Sequence, residues 1–198
     1  MKWIVIGASG YIGKPLYAKC KHNFETYGTL RSISEREGAF VPFRLEALQE
    51  FDYDLIQRSD VVFLAAALSS PDLCSGERDR VWGINVEATS CFISRVIKMG
   101  GRVIFFSSDT VYGENDEPCD EAAMSAPIGD YAEMKHEVEK RFLGNPQFKV
   151  LRLSYVFSRE DKFTKYLSIC AQRSEEAEVF HPFYRSVIHR DDVIDGVI

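Results

Sequence analysis

Short apolar runs alternate along this chain with longer amphipathic segments, and this alternation limits the possible folds more than any other feature. The runs WIVI and VVFLAA are apolar at successive positions, as expected of strands that helices cover on both faces. The predicted strands are 2–7, 24–30, 61–66, 102–107 and 148–154. The predicted helices are 11–21, 45–57, 78–98, 130–143 and 161–171. The pattern predicts an α/β fold of the Rossmann type, a doubly wound parallel sheet with helices on both faces.

The composition is that of a globular α/β domain. The chain has 198 residues, of which 45% are hydrophobic and 27% charged, enough to bury a sizeable core. A net charge of −6 argues against a broad nucleic-acid-binding surface, and the apolar runs are too short to cross a membrane. The five scattered cysteines fit neither a disulfide framework nor a metal site. We therefore expect a cytoplasmic protein with no metal and with no nucleic-acid or membrane partner.

The stretch GASGYIG joins the first predicted strand to the first predicted helix. Gly7 suits a tight turn, Gly10 the close approach of a pyrophosphate, and Gly13 the packing of the helix against the strand. The helix N-terminus would then offer N–H groups to the phosphates. The spacing is GxxGxxG rather than GxGxxG, so an ordinary strand-to-helix turn is the alternative. The predicted cofactor contacts in this stretch are Gly7, Ser9, Gly10, Tyr11, Ile12 and Gly13.

The end of the second predicted strand bears on the choice between NAD and NADP. An acidic residue there would bind the ribose 2′-hydroxyl of NAD, but the sequence has Arg31 and Ser32. A guanidinium can pair with a 2′-phosphate, which favours NADP. A solvated surface arginine is the alternative, and NAD then remains possible.

Polar side chains crowd the end of the strand RVIFF, in the stretch SSDTVYG. Ligands bind beyond the carboxyl ends of the strands in sheets of this kind, so this stretch should border the cleft. Ser108 is the predicted hydrogen-bond partner of a substrate carbonyl or alkoxide. Ser107 and Thr110 are expected to satisfy backbone groups of the turn.

Tyr131 and Lys135, in the stretch DYAEMK, are four residues apart and therefore share one face of a predicted helix. A nearby ammonium favours the phenolate, so Lys135 is expected to lower the pKa of Tyr131 and to hold a nicotinamide ribose. Tyr17 and Lys21 repeat the spacing on the first helix, well past its N-terminus. We predict that only Tyr131 and Lys135 are functional, since the loop before them can return to the end of the strand RVIFF.

In this order the motifs resemble the extended short-chain dehydrogenase/reductase family, of the NAD-dependent epimerase/dehydratase type. The resemblance runs from residue 1 to residue 198 and rests on GASGYIG, DVVFLAAA, NVEAT, SSDTVYG, YAEMK and LRLSYVF. It implies a Rossmann-type NAD(P)-binding domain over 1–156 and part of a smaller substrate-binding region over 157–198. It also implies catalytic roles for Ser108, Tyr131 and Lys135, and cofactor contacts by Ala65, Ala66, Ala67 and Asn85 as well as by Tyr131 and Lys135. Family members are usually longer, so we expect a C-terminal portion to be absent from this sequence.

Within that family the sequence looks most like the dTDP-4-dehydrorhamnose reductase branch, through its AAA, SDTVY and RLSYVF segments. Thr110 stands where dehydratases of the family carry a glutamate, which disfavours dehydration. The resemblance implies NAD(P)H-dependent reduction of a keto nucleotide sugar, and a homodimer is possible. An NAD-dependent nucleotide-sugar epimerase and a non-catalytic NADP-binding regulatory subunit are the alternatives.

Overall fold

A six-stranded sheet forms the centre of the protein in a computed structural model that describes residues 1–33, 35–114, 118–179 and 185–198. Its strands are β1 (Trp3–Ile6), β2 (Thr26–Leu30), β3 (Phe40–Pro42), β4 (Val61–Leu64), β5 (Arg102–Ser108) and β6 (Phe148–Leu153). They lie in the order β3-β2-β1-β4-β5-β6, with β1 parallel to both β2 and β4. This is the strand order of doubly wound dinucleotide-binding folds, so the predicted Rossmann-type fold is confirmed.

Helices accompany this sheet, and several of them pack against its strands. They are α1 (Gly13–Asn23), α2 (Pro71–Gly76), α3 (Arg78–Trp82), α4 (Thr89–Lys98) and α5 (Asp130–Arg141). A π-helical segment, Gly83–Ala88, joins α3 to α4, so the predicted helix 78–98 is one helical run with a wider turn inside it. α1 contacts β1 and β2, while α4 and α5 contact β5. The strands β1 and β4 are buried at every position, as their unbroken apolar runs predict.

The predicted helix over 45–57 is wrong. The structure has two short 3₁₀ helices there, Leu45–Glu50 and Tyr53–Leu55, and Ala47 departs from helical geometry with φ −136° and ψ 58°. The apolar residues of this segment instead form an aromatic cluster, in which Phe51 lies 5.3 Å from Phe92 of α4 between ring centroids. The tertiary packing of these rings therefore determines the backbone conformation of this segment and overrides the helical spacing of its apolar residues.

Packing divides the chain into two compact units, Met1–Arg152 and Leu153–Ile198. In the second unit, β7 (Tyr155–Phe157) pairs in parallel with β8 (Val187–His189), beside the helices α6 (Lys162–Arg173) and α7 (Arg190–Val197). Asp161 caps α6 by accepting a hydrogen bond from the Thr164 N–H at 2.9 Å. The assignment of separate cofactor and substrate roles to residues 1–156 and 157–198 stays a prediction. Within the described ranges, no helix has the length and apolar character needed to cross a membrane.

Candidate active site

The glycine turn between β1 and α1 is closely packed, and two of its glycines cannot be replaced without strain. Gly7 has φ +86°, a conformation that favours glycine, and its N–H donates to Thr29 Oγ1 at 2.9 Å. A Cβ on Gly13 would lie 2.1 Å from the Gly7 carbonyl oxygen. The N–H of Gly10 donates to that same oxygen at 2.9 Å. The three glycines thus hold the start of α1 directly against the end of β1.

A cleft of about 230 Å³ opens beside this turn, at the carboxyl ends of β1, β2 and β4. Of the predicted cofactor contacts it is lined by Gly7, Ser9, Gly10, Arg31, Ala65, Ala66 and Ala67. Tyr11 is exposed, and Ile12 stands at the N-cap of α1 without a polar atom to cap the helix. Gly13 lies buried behind the turn, and Ser32 is exposed beyond β2. The N-terminal N–H groups of α1 are therefore not capped by the Ile12 side chain.

Asn85 supports the wall of the cleft from inside the protein. Its side chain is buried, accepts a hydrogen bond from the Leu68 N–H at 3.0 Å and donates to the Leu68 carbonyl at 2.7 Å. The amide thus fixes the loop that follows Ala65, Ala66 and Ala67. Its predicted contact with a cofactor stays a prediction, and the contact that the structure gives it is with this loop.

Arg31 lies at the rim of the cleft and forms an ion pair with Glu46. The guanidinium is 2.8 Å from Glu46 Oε1, and the Arg31 side chain is 62% exposed. Arg44 lines the same cleft and pairs with Glu50 at 3.0 Å. Two cations thus border the end of the cleft near β2, and each already has a carboxylate partner.

Ser108 takes part in the turn that follows β5, whereas Ser107 contacts α5. Ser108 Oγ accepts hydrogen bonds from the Thr110 N–H at 3.3 Å and from Thr110 Oγ1 at 2.9 Å, so Ser108 caps the turn Asp109–Tyr112. Ser107 instead donates to the Glu139 carboxylate, and the expectation that it satisfies a backbone group of the turn is wrong. Successive residues of a strand point to opposite faces, and the face of Ser107 meets α5.

Tyr131 and Lys135 both lie where α5 packs against the end of β5. Lys135 Nζ donates to the Phe106 carbonyl oxygen at 2.8 Å and lies 5.6 Å from the centre of the Tyr131 ring. Lys135 is buried, with 6% of its surface exposed. Its helix α5 also contacts the turn that follows Ser108. The structure therefore brings the ammonium, the phenol and the Ser108 turn to one end of the sheet.

Burial dominates the protonation of this pair. It raises the pKa of Tyr131 to about 12, with a smaller contribution from Cys74. It lowers the pKa of Lys135 to about 8, an effect that Glu139 partly offsets. The net shift in this structure is therefore toward the protonated phenol, and the expectation that Lys135 lowers the pKa of Tyr131 stays a prediction.

Three further residues of the site escaped sequence reasoning. Cys74, buried in α2, interacts electrostatically with Tyr131. Glu139 is buried one helical turn beyond Lys135 and pairs with Arg152 of β6 at 2.6 Å. The four-residue spacing from Lys135 to Glu139 would have pointed to Glu139, whereas nothing in the sequence places Cys74 beside Tyr131.

The second Tyr–Lys pair differs in its surroundings. Lys21 lies 5.9 Å from the centre of the Tyr17 ring, nearly the same separation as in the first pair. Lys21 is exposed, however, and the Tyr17 ring packs against Phe40 of β3 at 4.8 Å. Equal spacing along a helix thus gives one pair with a buried lysine at the end of β5 and one pair with an exposed lysine on α1.

The glycine turn and the start of α1 have the features that suit the phosphates of a dinucleotide. The glycine turn allows close approach to the start of α1, whose first turn carries no acidic side chain to repel phosphate. The fold and this turn are those of the extended short-chain dehydrogenase/reductase type. Residues 1–193 match the family described as the RmlD substrate binding domain, and the chain belongs to that family.

The chain is similar to a curated protein from mouse, methionine adenosyltransferase 2 subunit beta. It is 25% identical over 164 residues, which are 80% of this chain and 48% of that protein. The chain thus spans about half the length of the curated relatives it matches.

Among the solved structures that share the fold are a reductase and an epimerase. A hypothetical dTDP-4-dehydrorhamnose reductase from Sulfolobus tokodaii has a TM-score of 0.85 and 23% identity, covering 100% of this chain and 71% of that one. A mutant UDP-glucuronic acid 4-epimerase from Bacillus cereus, solved with UDP-4-deoxy-4-fluoro-glucuronic acid and NAD, has a TM-score of 0.81 and 19% identity. The match covers 100% of this chain and 72% of the epimerase.

Proposed function

We propose that this protein is an NAD(P)H-dependent reductase of a keto nucleotide sugar, similar in its reaction to dTDP-4-dehydrorhamnose reductase. The observation that carries the proposal is the pair of the half-buried Tyr131 and the buried Lys135 at the end of β5, on the same carboxyl end of the sheet as the glycine turn. Membership of the RmlD family and the fold shared with the Sulfolobus tokodaii protein support it.

The protonation of Tyr131 suits reduction. With a pKa raised to about 12 by burial, the phenol keeps its proton at neutral pH and can give it to a ketone oxygen that gains negative charge. A bound dinucleotide would supply the hydride. Ser108 would donate a hydrogen bond to the same oxygen once its hydroxyl turns from Asp109, to which it donates at 3.3 Å. Lys135 would hold the ribose and stabilise negative charge near the phenol.

The dinucleotide that we propose is NADP, with NAD as the alternative. Arg31 and Arg44 both line the cleft near β2, where a 2′-phosphate would lie, and an arginine fork matches phosphate geometry. The Bacillus cereus epimerase was solved with NAD, which supports the nicotinamide dinucleotide class without favouring NADP. Glu46 would have to release Arg31 for the phosphate to bind it.

A second candidate function follows from the mouse relative, whose name describes a subunit of an enzyme of another class. In this alternative the chain binds NADP and regulates a partner without turning over a sugar. An epimerase is the third candidate, because the Bacillus cereus structure shares the fold. An epimerase retains its NAD through purification and releases no oxidised cofactor, whereas a reductase consumes NAD(P)H.

The test follows the loss of NAD(P)H absorbance at 340 nm with a nucleoside-diphosphate 4-keto-6-deoxy sugar as substrate. We expect turnover by the wild type and a loss of roughly 10²- to 10⁴-fold in Tyr131→Phe, which lacks the proton. Tyr17→Phe is the matched control and should keep wild-type turnover. Dinucleotide binding without turnover would favour the regulatory subunit, and equal losses in both variants would contradict the role of Tyr131.

A further inference from the structure

Glu139 is a buried carboxylate on the helical face that carries Tyr131 and Lys135. The three residues follow one another at four-residue intervals along α5 and therefore share that face. Glu139 is 6% exposed and accepts hydrogen bonds from Ser107 Oγ and from the Arg152 guanidinium, the shortest of the latter at 2.6 Å. A carboxylate at this depth requires such partners, so its place in the core is specified by them.

Arg152 of β6 connects Glu139 to the two segments that flank the site. Its Nη2 also donates to Ser125 Oγ at 3.1 Å, in the loop that leads into α5. Its guanidinium lies 4.5 Å from the centre of the Tyr112 ring, in the turn that Ser108 caps. One planar cation thus touches the helix of Tyr131, the loop before it and the turn of Ser108.

The same helix is fixed to β5 at two successive residues. Lys135 Nζ donates to the Phe106 carbonyl, and Ser107 Oγ donates to Glu139. Both residues of β5 precede Ser108 directly along the chain. A shift of α5 along β5 would break both hydrogen bonds together. The two contacts therefore fix the position of Tyr131 along β5 relative to Ser108.

We propose that Glu139 and Arg152 are a positioning pair that holds the turn of Ser108 and the helix of Tyr131 and Lys135 in one relative arrangement. The catalytic meaning of that arrangement rests on the proposed function. The geometry itself, a partly buried ion pair joined to α5, β5 and the Ser108 turn, does not depend on which substrate is bound.

The pair also sets the charge around Lys135. The ionisable groups near this lysine are Tyr131 and Glu139 on its own helix, with Cys74 of α2 beside Tyr131 and Arg152 of β6 beside Glu139. Glu139 favours the ammonium and partly offsets the effect of burial. The protonation of Lys135 therefore reports on whether Glu139 is charged and in place.

The experiment titrates the whole chain, labelled with ¹³C-lysine, by NMR, and the Lys135 signal is assigned by its loss in Lys135→Met. We expect a midpoint near pH 8 in the wild type and a fall of about one pH unit in Glu139→Gln. Glu137→Gln is the matched control, because Glu137 lies on the same helix but pairs with Lys140 and Arg141 at the surface. It should leave the midpoint unchanged.

A double variant separates positioning from mere stability. Apolar replacement of a buried ion pair often preserves stability, so Glu139→Leu/Arg152→Met should melt within a few degrees of the wild type. We expect its Lys135 midpoint to stay low and its kcat to fall roughly 10- to 100-fold, with the KM for NADPH nearly unchanged. Recovery of stability, midpoint and kcat together would show a purely structural pair and overturn the proposal.

The two proposals fail in different ways. If the wild type binds neither NADPH nor NADH but Lys135 shifts as described, the reductase proposal fails and the positioning pair stands. If the dinucleotide binds and the Lys135 midpoint of folded Glu139→Gln equals that of the wild type, the positioning proposal alone is overturned.

Discussion

Replacing Gly13 by alanine should damage the glycine turn far more than a glycine-to-alanine change elsewhere in a helix. The new Cβ would lie 2.1 Å from the Gly7 carbonyl oxygen and 2.9 Å from its carbon, both backbone atoms that no side-chain rotation can move aside. Relief requires a backbone movement of about 1 Å, and overpacking of this kind costs about 1–3 kcal/mol, occasionally more. The gain of up to about 1 kcal/mol in helix propensity offsets only part of that.

Because the clash is with backbone atoms, we take the upper end of that cost, about 3 kcal/mol; less a propensity gain of up to about 1 kcal/mol, Gly13→Ala should lose about 2–3 kcal/mol of unfolding free energy. For a chain of this length that corresponds to a fall of roughly 4–12 °C in Tm, measured by circular dichroism. Gly83 is the matched control, because it is exposed in the π-helical segment and a Cβ there would meet nothing within 4 Å. Gly83→Ala should raise the Tm slightly through helix propensity.

A second readout connects this clash to the cleft. Because the Gly7 carbonyl must move, Gly13→Ala should also weaken NADPH binding at temperatures where the protein remains folded, and Gly83→Ala should not. A Tm for Gly13→Ala within 1 °C of the wild type, with unchanged NADPH affinity, would refute the close packing of the turn.

Three further predictions concern the rest of the site. Glu46→Gln should raise the affinity for NADPH about two- to fivefold, because it frees Arg31 from an exposed ion pair. Arg31→Ala should weaken the binding of NADPH and leave the binding of NADH unchanged. Fluorescence titration measures both effects. Asn85→Ala should lose about 1–3 kcal/mol in urea unfolding, because the Leu68 N–H and carbonyl lose their buried partner. Burial lowers the pKa of Lys135 from 10.5 to about 8, so between these values the unfolded chain binds more protons than the native one. The wild type should therefore gain stability relative to Lys135→Met as pH rises from 8 to 10.5, by at most about 1.4 kcal/mol per pH unit, and a constant difference would contradict the burial of the ammonium.

The sequence predicted the parts of the fold that local pattern determines. The apolar runs of β1 and β4 are buried at every position, and the predicted strands at the other three places are present with slightly different ends. β3 was missed because a three-residue strand is too short to show periodicity. The segment 45–57 was assigned to a helix because the aromatic cluster that shapes it depends on Phe92, far along the chain.

The parts of the site that the sequence predicts are likewise those that local pattern determines. The motif spacing located the glycine turn and the Tyr131–Lys135 pair, because each lies within one strand-to-helix junction or one helix. The direction of the Tyr131 pKa was not predictable, since it depends on burial contributed by distant elements. The ion pair between Arg152 and Glu139 was not predictable either, because it forms only when β6 and α5 come together in the fold.

The proposed function requires that the cleft beside the glycine turn bind a nicotinamide dinucleotide. The most direct test is a titration of the wild-type chain with NADPH and with NADH, followed by nicotinamide fluorescence. We expect saturable binding of one dinucleotide per chain, with NADPH preferred. A folded protein that shows no saturable binding of either dinucleotide up to about 1 mM, an affinity of roughly −4 kcal/mol, would contradict the claim.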